Sequence, residues 1–290
     1  MEIVIASGKG GVGKSTLTGS LITLLKDYEI AAVDADAEAP NLHLIFNVER
    51  WEEEREVIAS HSARINESCI NCGICDNVCI YEAIYEADGQ RKIKEYLCEG
   101  CGACRAVCPV EGAIEIFPSV SGWIRIANTS YGPLVSAELD VGKPNSGKLV
   151  TEEKNIAKNW VKEGRAKHVI VDAAAGIGCQ VIASLSGANK AILVAEPTPS
   201  SLSDLMRAYG LTQHFRIEAF LVINKYGINP GYDGLERFSR ENGVEIIGRI
   251  PYHSSVPKSL ASMKPLVEFA PDSPPAKEIK KIAEIVEGWL

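Results

Sequence analysis

The run Gly8-Lys9-Gly10-Gly11-Val12-Gly13-Lys14-Ser15 satisfies G-x-x-x-x-G-K-S/T and follows, after Ala6-Ser7, on the apolar stretch Ile3-Val4-Ile5. Glycines at these places let backbone N–H groups curl around an anion without side-chain clashes, and a helix beginning where the loop ends adds its positive pole. The stretch Thr16 to Lys26 is compatible with that helix. Strand, loop and helix in this order predict a nucleotide site for ATP or ADP lined by Gly8 through Thr16. Lys14 is expected to neutralise the β- and γ-phosphate oxygens, and the Ser15 hydroxyl to hold Mg²⁺.

Further short apolar runs recur along the chain: Ala31-Ala32-Val33, Val169-Ile170-Val171, Ala191 to Val194, Phe220 to Ile223 and Val244 to Ile247. Continuous apolar runs separated by amphipathic segments indicate parallel strands with helices on both faces. The expected fold class is therefore α/β, a doubly wound, mainly parallel sheet. The rhythm stops after about residue 60 and resumes near Gly122, with no intervening strand long enough to join the main sheet. An insertion at 61–118 into one domain formed by 1–60 and 119–290 is expected.

Nine cysteines are present, eight of them between Cys69 and Cys108, with Cys179 apart. A secreted disulfide scaffold spreads its cysteines through a short chain, whereas a cluster such as this reads as metal ligands in a reducing compartment. Cys69, Cys72, Cys75 and Cys79 recur 29 residues later as Cys98, Cys101, Cys104 and Cys108, and Gly73 is echoed by Gly102. Paired C-x-x-C also suits structural zinc. A third cysteine at the next x₂ and a fourth at x₃, both repeated, point instead to soft thiolates around an iron–sulfur cubane.

A formal net charge of −8 supplies no field for a phosphate backbone, so no nucleic-acid partner is expected. No apolar run reaches membrane-spanning length and Met1 to Ile5 lack a basic leader, which implies a cytoplasmic protein with no membrane association. Ile279, Ile282, Ile285, Val286 and Trp289 form a helical stripe whose lysines are offset by glutamates, so a helix packed on the sheet is expected there, not a membrane anchor. The five histidines show no ligand spacing, and Gly142 to Gly147 reads as a polar loop.

Lys9, early in the phosphate loop, makes the motif resemble the deviant Walker A of the MinD/ParA class, which includes the nitrogenase iron protein. In that class the early lysine reaches across a nucleotide-sandwich dimer. Asp34-Ala35-Asp36 is similar to its first switch, which implies that Asp36 orients the attacking water. Val169 through Gly176 resembles its Walker B strand and second switch, with Asp172 supporting Mg²⁺, although three alanines stand where the class has a proline. Asn224 and Pro251 fall where the class contacts adenine.

The cysteine run resembles bacterial two-cluster ferredoxins. That resemblance assigns Cys69, Cys72, Cys75 and Cys108 to one 4Fe–4S cluster and Cys79, Cys98, Cys101 and Cys104 to the other, with Ile80 where a proline usually stands. The whole chain is similar to MinD-superfamily ATPases with an inserted ferredoxin domain. Implied partners are a second copy or a paralogue in an ATP-dependent dimer, and a redox or metallocofactor acceptor protein. Lys9, Lys14 and Asp36 are the expected catalytic set. An ATP-gated electron donor, a carrier for metal cofactors and a spatial organiser with redox-sensing clusters all share these motifs. An amide-forming role, which needs a glutaminase domain, is not expected within 290 residues. Cys179 stands seven residues after Asp172, the step at which the nitrogenase iron protein carries a cluster ligand. It is either an interface thiol or a small packed residue.

Overall fold

The computed structural model describes residues 1–143 and 146–290; Pro144 and Asn145, in the loop read from Gly142 to Gly147, lie outside the described residues. β1 (Glu2–Ser7) enters the phosphate loop and α1 (Lys14–Leu24), followed by β2 (Ile30–Ala35) and α2 (Leu42–Ile45). A long strand, β3 (Glu53–Ile65), then leads out to β4 (Ile84–Ala87), β5 (Gln90–Ile93) and α3 (Ala103–Val107), and β6 (Ile114–Thr129) leads back. β7 (Gly132–Leu139), α4 (Ser146–Lys162), β8 (His168–Ala175), α5 (Cys179–Leu185), β9 (Lys190–Ala195) and α6 (Pro199–His214) continue the winding. β10 (Glu218–Tyr226), α7 (Gly234–Asn242), β11 (Glu245–Pro251), α8 (Ser255–Ala261), α9 (Leu266–Phe269) and α10 (Pro274–Glu287) complete it.

Among the described residues, nine strands form one sheet in the order β11-β10-β9-β1-β8-β2-β7-β6-β3, parallel from β11 through β7 and antiparallel from β7 to β3. Successive side chains of a strand face opposite sides, so Ile3 and Ile5 of β1 join α1 and α10 on one face while Val4 and Ala6 join α4 to α6 on the other. Both faces are covered, which explains why these strands read as unbroken apolar runs. α10 buries Ile279, Ile282 and Val286, and Trp289 stacks on Phe220 at 4.4 Å between ring centroids.

One expectation is overturned. Far from lacking long strands, the segment between residue 60 and Gly122 carries the ends of β3 and β6, paired antiparallel from Glu53↔Ile126 to Ile65↔Ile114. The expected cuts at 60/61 and 118/119 fall inside these two strands. β3 is an edge strand whose first four residues, Glu53-Glu54-Arg55-Glu56, are exposed, and charge on an edge is how sheets avoid pairing with other chains. That charge also conceals the strand from a reading based on apolar runs.

At the far end of this two-stranded stalk, residues 66–113 form a small lobe closed by Asn66, whose N–H donates to the Ala113 carbonyl at 3.0 Å. Its β4–β5 hairpin turns at Asp88-Gly89, both at positive φ (53° and 71°), as a tight two-residue turn requires. The cysteine repeat is also a structural repeat. Gly73 and Gly102, at φ 74° and 78°, each start the short helical turn that carries the third cysteine of its run.

Candidate functional site

The phosphate loop is braced from outside. Gly13 adopts φ 96°, and a Cβ there would lie 2.2 Å from Nδ2 of Asn224, which donates to the Val12 carbonyl at 2.6 Å. A Cβ on Gly8 would lie 2.0 Å from the Asp204 carbonyl oxygen. Above the loop a hollow is walled by Lys14, Asp36, Asn41, Leu44, Ala175 and Leu260. Asn224 thus holds the loop from beneath, and Pro251 closes β11 beside Tyr226. Neither lines this hollow. Leu44, Ile45 and Leu260, none of them singled out by the sequence motifs, are its apolar walls.

Asp172 is buried within β8 and accepts a hydrogen bond from Thr18 Oγ1 at 2.8 Å, with the Ser15 hydroxyl also directed at it. Burial pushes its carboxyl up, against the pull of Lys14 and these hydroxyls. Asp34 is buried too, and burial next to Asp172 pushes it well above the ordinary range although it accepts the N–H groups of Asn41 and Leu42 at 2.8 and 2.7 Å. Asp36, two residues on and just past the end of β2, sits in the hollow itself; burial raises its carboxyl and Lys14 opposes the rise.

Lys9 makes a contact absent from the sequence reading. Its Nζ lies 2.5 Å from Oε1 of Glu196, whose Oε2 is 2.9 Å from Lys225 Nζ. Burial alone would raise the Glu196 carboxyl, but the hydrogen bonds from Lys9 and Lys225 outweigh it and hold it below the ordinary range. Gln180 was also missed. It bridges from α5 to the Asp36 turn, accepting the Ala37 N–H at 2.9 Å and donating to Glu38 Oε1 at 2.8 Å.

The eight clustered cysteines sort into two sets. Cys69, Cys72, Cys75 and Cys108 line one hollow together with Arg91, and Cys79, Cys98, Cys101 and Cys104 line another. Cys79 and Cys108 have exchanged places, each lying with the first three cysteines of the other run. Among the described residues, no three His, Cys, Asp or Glu side chains converge closely enough to hold a single metal ion. Four thiols around each hollow are the number and the softness of donor that a four-cysteine iron–sulfur cluster takes. Burial, with Asp76 adjacent, pushes the Cys75 thiol up to about 11, so its thiolate needs a cation beside it. Backbone N–H groups of Asn71 and Ala83 approach Cys69 and Cys79 Sγ at 3.4 Å. Cys179 lies apart from all eight, exposed at the start of α5.

A profile of the CobQ/CobB/MinD/ParA nucleotide binding domain matches residues 3–266. An uncharacterized protein of Methanocaldococcus jannaschii is 37% identical, aligned over 100% of this chain and 98% of its own length. An iron-sulfur cluster carrier protein of Pyrococcus abyssi is 23% identical over 98% of this chain and 84% of its own. Among solved structures, the septum site-determining protein MinD of Pyrococcus horikoshii, complexed with Mg-ADP, superposes with a TM-score of 0.61 at 19% identity, covering 99% of this chain and 96% of that one. At that identity the likeness speaks for the fold.

Proposed function

The chain belongs to the CobQ/CobB/MinD/ParA nucleotide-binding family and is a P-loop ATPase, and we propose that ATP-driven closure of a dimer governs electron transfer from two 4Fe–4S clusters to a partner protein. The observation that carries this reading is the sorting of eight cysteines into two crossed sets of four. They sit on a stalk whose strands belong to the same sheet as the phosphate loop.

In this reading residues 66–113 are a ferredoxin-like insert. Cys69, Cys72, Cys75 and Cys108 hold one cluster and Cys79, Cys98, Cys101 and Cys104 the other; bound there, such clusters supply one-electron storage at low potential. Gly10 to Thr16 wrap the phosphates, Lys14 offsets their charge, and Ser15 and Asp172 hold Mg²⁺. Asp36 orients the attacking water; it is too weak a base to deprotonate it outright. Lys9, paired with Glu196 in the single chain, leaves that contact to reach a partner's phosphates, and Glu196 keeps Lys225 as its counter-charge.

A carrier role for iron–sulfur clusters is the second reading. It is favoured by the exposure of Cys72 and Cys101, one in each set, and by the name of the Pyrococcus abyssi relative. The two readings separate anaerobically. Dithionite-reduced protein is mixed with oxidised methyl viologen or with an apo-ferredoxin, with MgATP or MgADP. A donor oxidises faster with ATP and keeps its iron, and Lys14→Ala removes the nucleotide effect. Iron delivered to the apo-protein with no ATP effect on oxidation would favour the carrier.

A further inference from the structure

The turn that carries Asp36 is held from three sides. The Ala37 carbonyl accepts the Leu139 N–H at 2.7 Å from the end of β7, and Asp34 accepts the N–H groups of Asn41 and Leu42. The third hold is Gln180, which takes the Ala37 N–H and the Glu38 carboxylate with the two ends of one amide. Its orientation follows from its partners. A backbone N–H can only donate and so faces Oε1, while a carboxylate can only accept and so faces Nε2. Gln180 is 6% exposed and its bond to the Ala37 N–H is buried, where a lost partner is costly, whereas Glu38 itself is exposed.

The carboxylate of Asp36 in turn leans on the N–H groups of Ala39 and Glu38, which belong to the same turn. Gln180 holds the two residues that directly follow Asp36, Ala37 by its backbone and Glu38 by its side chain, and so fixes the start of the turn on which the Asp36 carboxylate rests. Gln180 has a firm base. α5 is capped at its C-terminal end by Lys154 of α4, whose Nζ reaches the carbonyls of Ala183 and Ser186 at 3.0 and 2.7 Å. At its start, Gly147 of α4 fits so closely that a Cβ there would lie 3.1 Å from Cys179 Cβ. In the segment joining β8 to α5, Gly176 adopts φ 95°, a left-handed conformation that favours glycine.

We infer that Gln180 is a positioning residue for ATP hydrolysis. It locks the Asp36 turn to the α4–α5 pair, so the water-orienting carboxylate moves only when α5 moves. Asparagine is a methylene too short to span both partners. Glutamate is long enough, but it sets a second carboxylate against Glu38.

This inference rests on the role given to Asp36, and the test separates the two. Steady-state ATPase and thermal midpoints are measured for Asp36→Ala, Gln180→Ala, Gln180→Glu, and Gln180→Glu combined with Glu38→Gln. Gln180→Ala is expected to lower kcat about tenfold with KM for MgATP changed less than roughly twofold. Gln180→Glu alone should be as slow. The double variant should recover to within roughly threefold of wild type, because the reversed pair can again share a proton and accept the Ala37 N–H. Wild-type kcat in Gln180→Ala, or no recovery in a double variant that folds normally, overturns the inference while a slow Asp36→Ala leaves the proposed function standing. Wild-type kcat in Asp36→Ala overturns both. Should Gln180→Ala fail to fold, the near-isosteric glutamate pair decides alone.

Discussion

In the nucleotide-binding body every residue of β1 and six of the eight in β8 are buried, whereas between Asn66 and Ala113 only Cys75, Ala83 and Ala113 are. The body is held as large domains generally are, by apolar area removed from water at about 25 cal/mol per Å². The lobe has no comparable core. Its apolar cluster is built around Cys75 and Ile114, with Cys98, Cys104 and Cys108 packed against them, so the candidate ligands are also much of the packing. A segment of this size needs staples, and metal binding to such a site becomes folding free energy. On the proposed reading, one part of the chain folds by burial and the other needs the clusters its sulfurs would hold.

The largest expected effect comes from stripping metal. Chelation under anaerobic conditions should open residues 66–113 to limited proteolysis while the body stays intact and still binds nucleotide. Cleavage no faster than in the reconstituted protein would mean that the lobe folds by packing alone. A smaller effect sharpens the contrast in the other direction. Ile170→Ala, in a fully buried strand position, should cost the body about 2–5 kcal/mol in urea unfolding. The same truncation at half-buried Ile84 should cost the reconstituted lobe about 1 kcal/mol or less. Equal costs would erase the distinction.

The smallest effect concerns the Lys9–Glu196–Lys225 contact. The Glu196 carboxyl lies below its unfolded value, so its pairing is fully present above an ordinary glutamate pKa of about 4.3 and is lost as pH falls through the depressed folded value. Wild type should therefore lose this contribution only on the acid side, and Glu196→Gln should lack that part of the pH dependence. The same variant should form its ATP-bound dimer roughly two- to threefold faster, since Lys9 starts unpaired. Identical acid-side profiles for the two proteins would show that the contact adds nothing to stability.

What could be read from the sequence follows the same division. β1, β2, β8, β9 and the centre of β10 are buried on both faces and announced themselves as apolar runs, as did the start of the edge strand β11. The phosphate loop and the cysteine repeat were legible because each needs particular residues at particular spacings. The stalk was hidden by edge charges in β3 and by Pro118 and Gly122 in β6. Gly122 has a packing reason, since a Cβ there would lie 2.2 Å from the Glu138 carbonyl oxygen. Glu196 and Gln180 could not be read, because their meaning lies in partners 187 and 143 residues away. Only the fold brings Lys9 to Glu196 and the Ala37 N–H to Gln180.

Iron and acid-labile sulfide, counted per chain after anaerobic reconstitution, test most directly the claim that the lobe is an iron–sulfur module carried by an ATPase. Two cubanes on eight cysteines predict about eight iron and eight sulfide per chain, falling by about half when Cys72→Ser and Cys75→Ser remove one set. Stoichiometric zinc without labile sulfide would contradict the account.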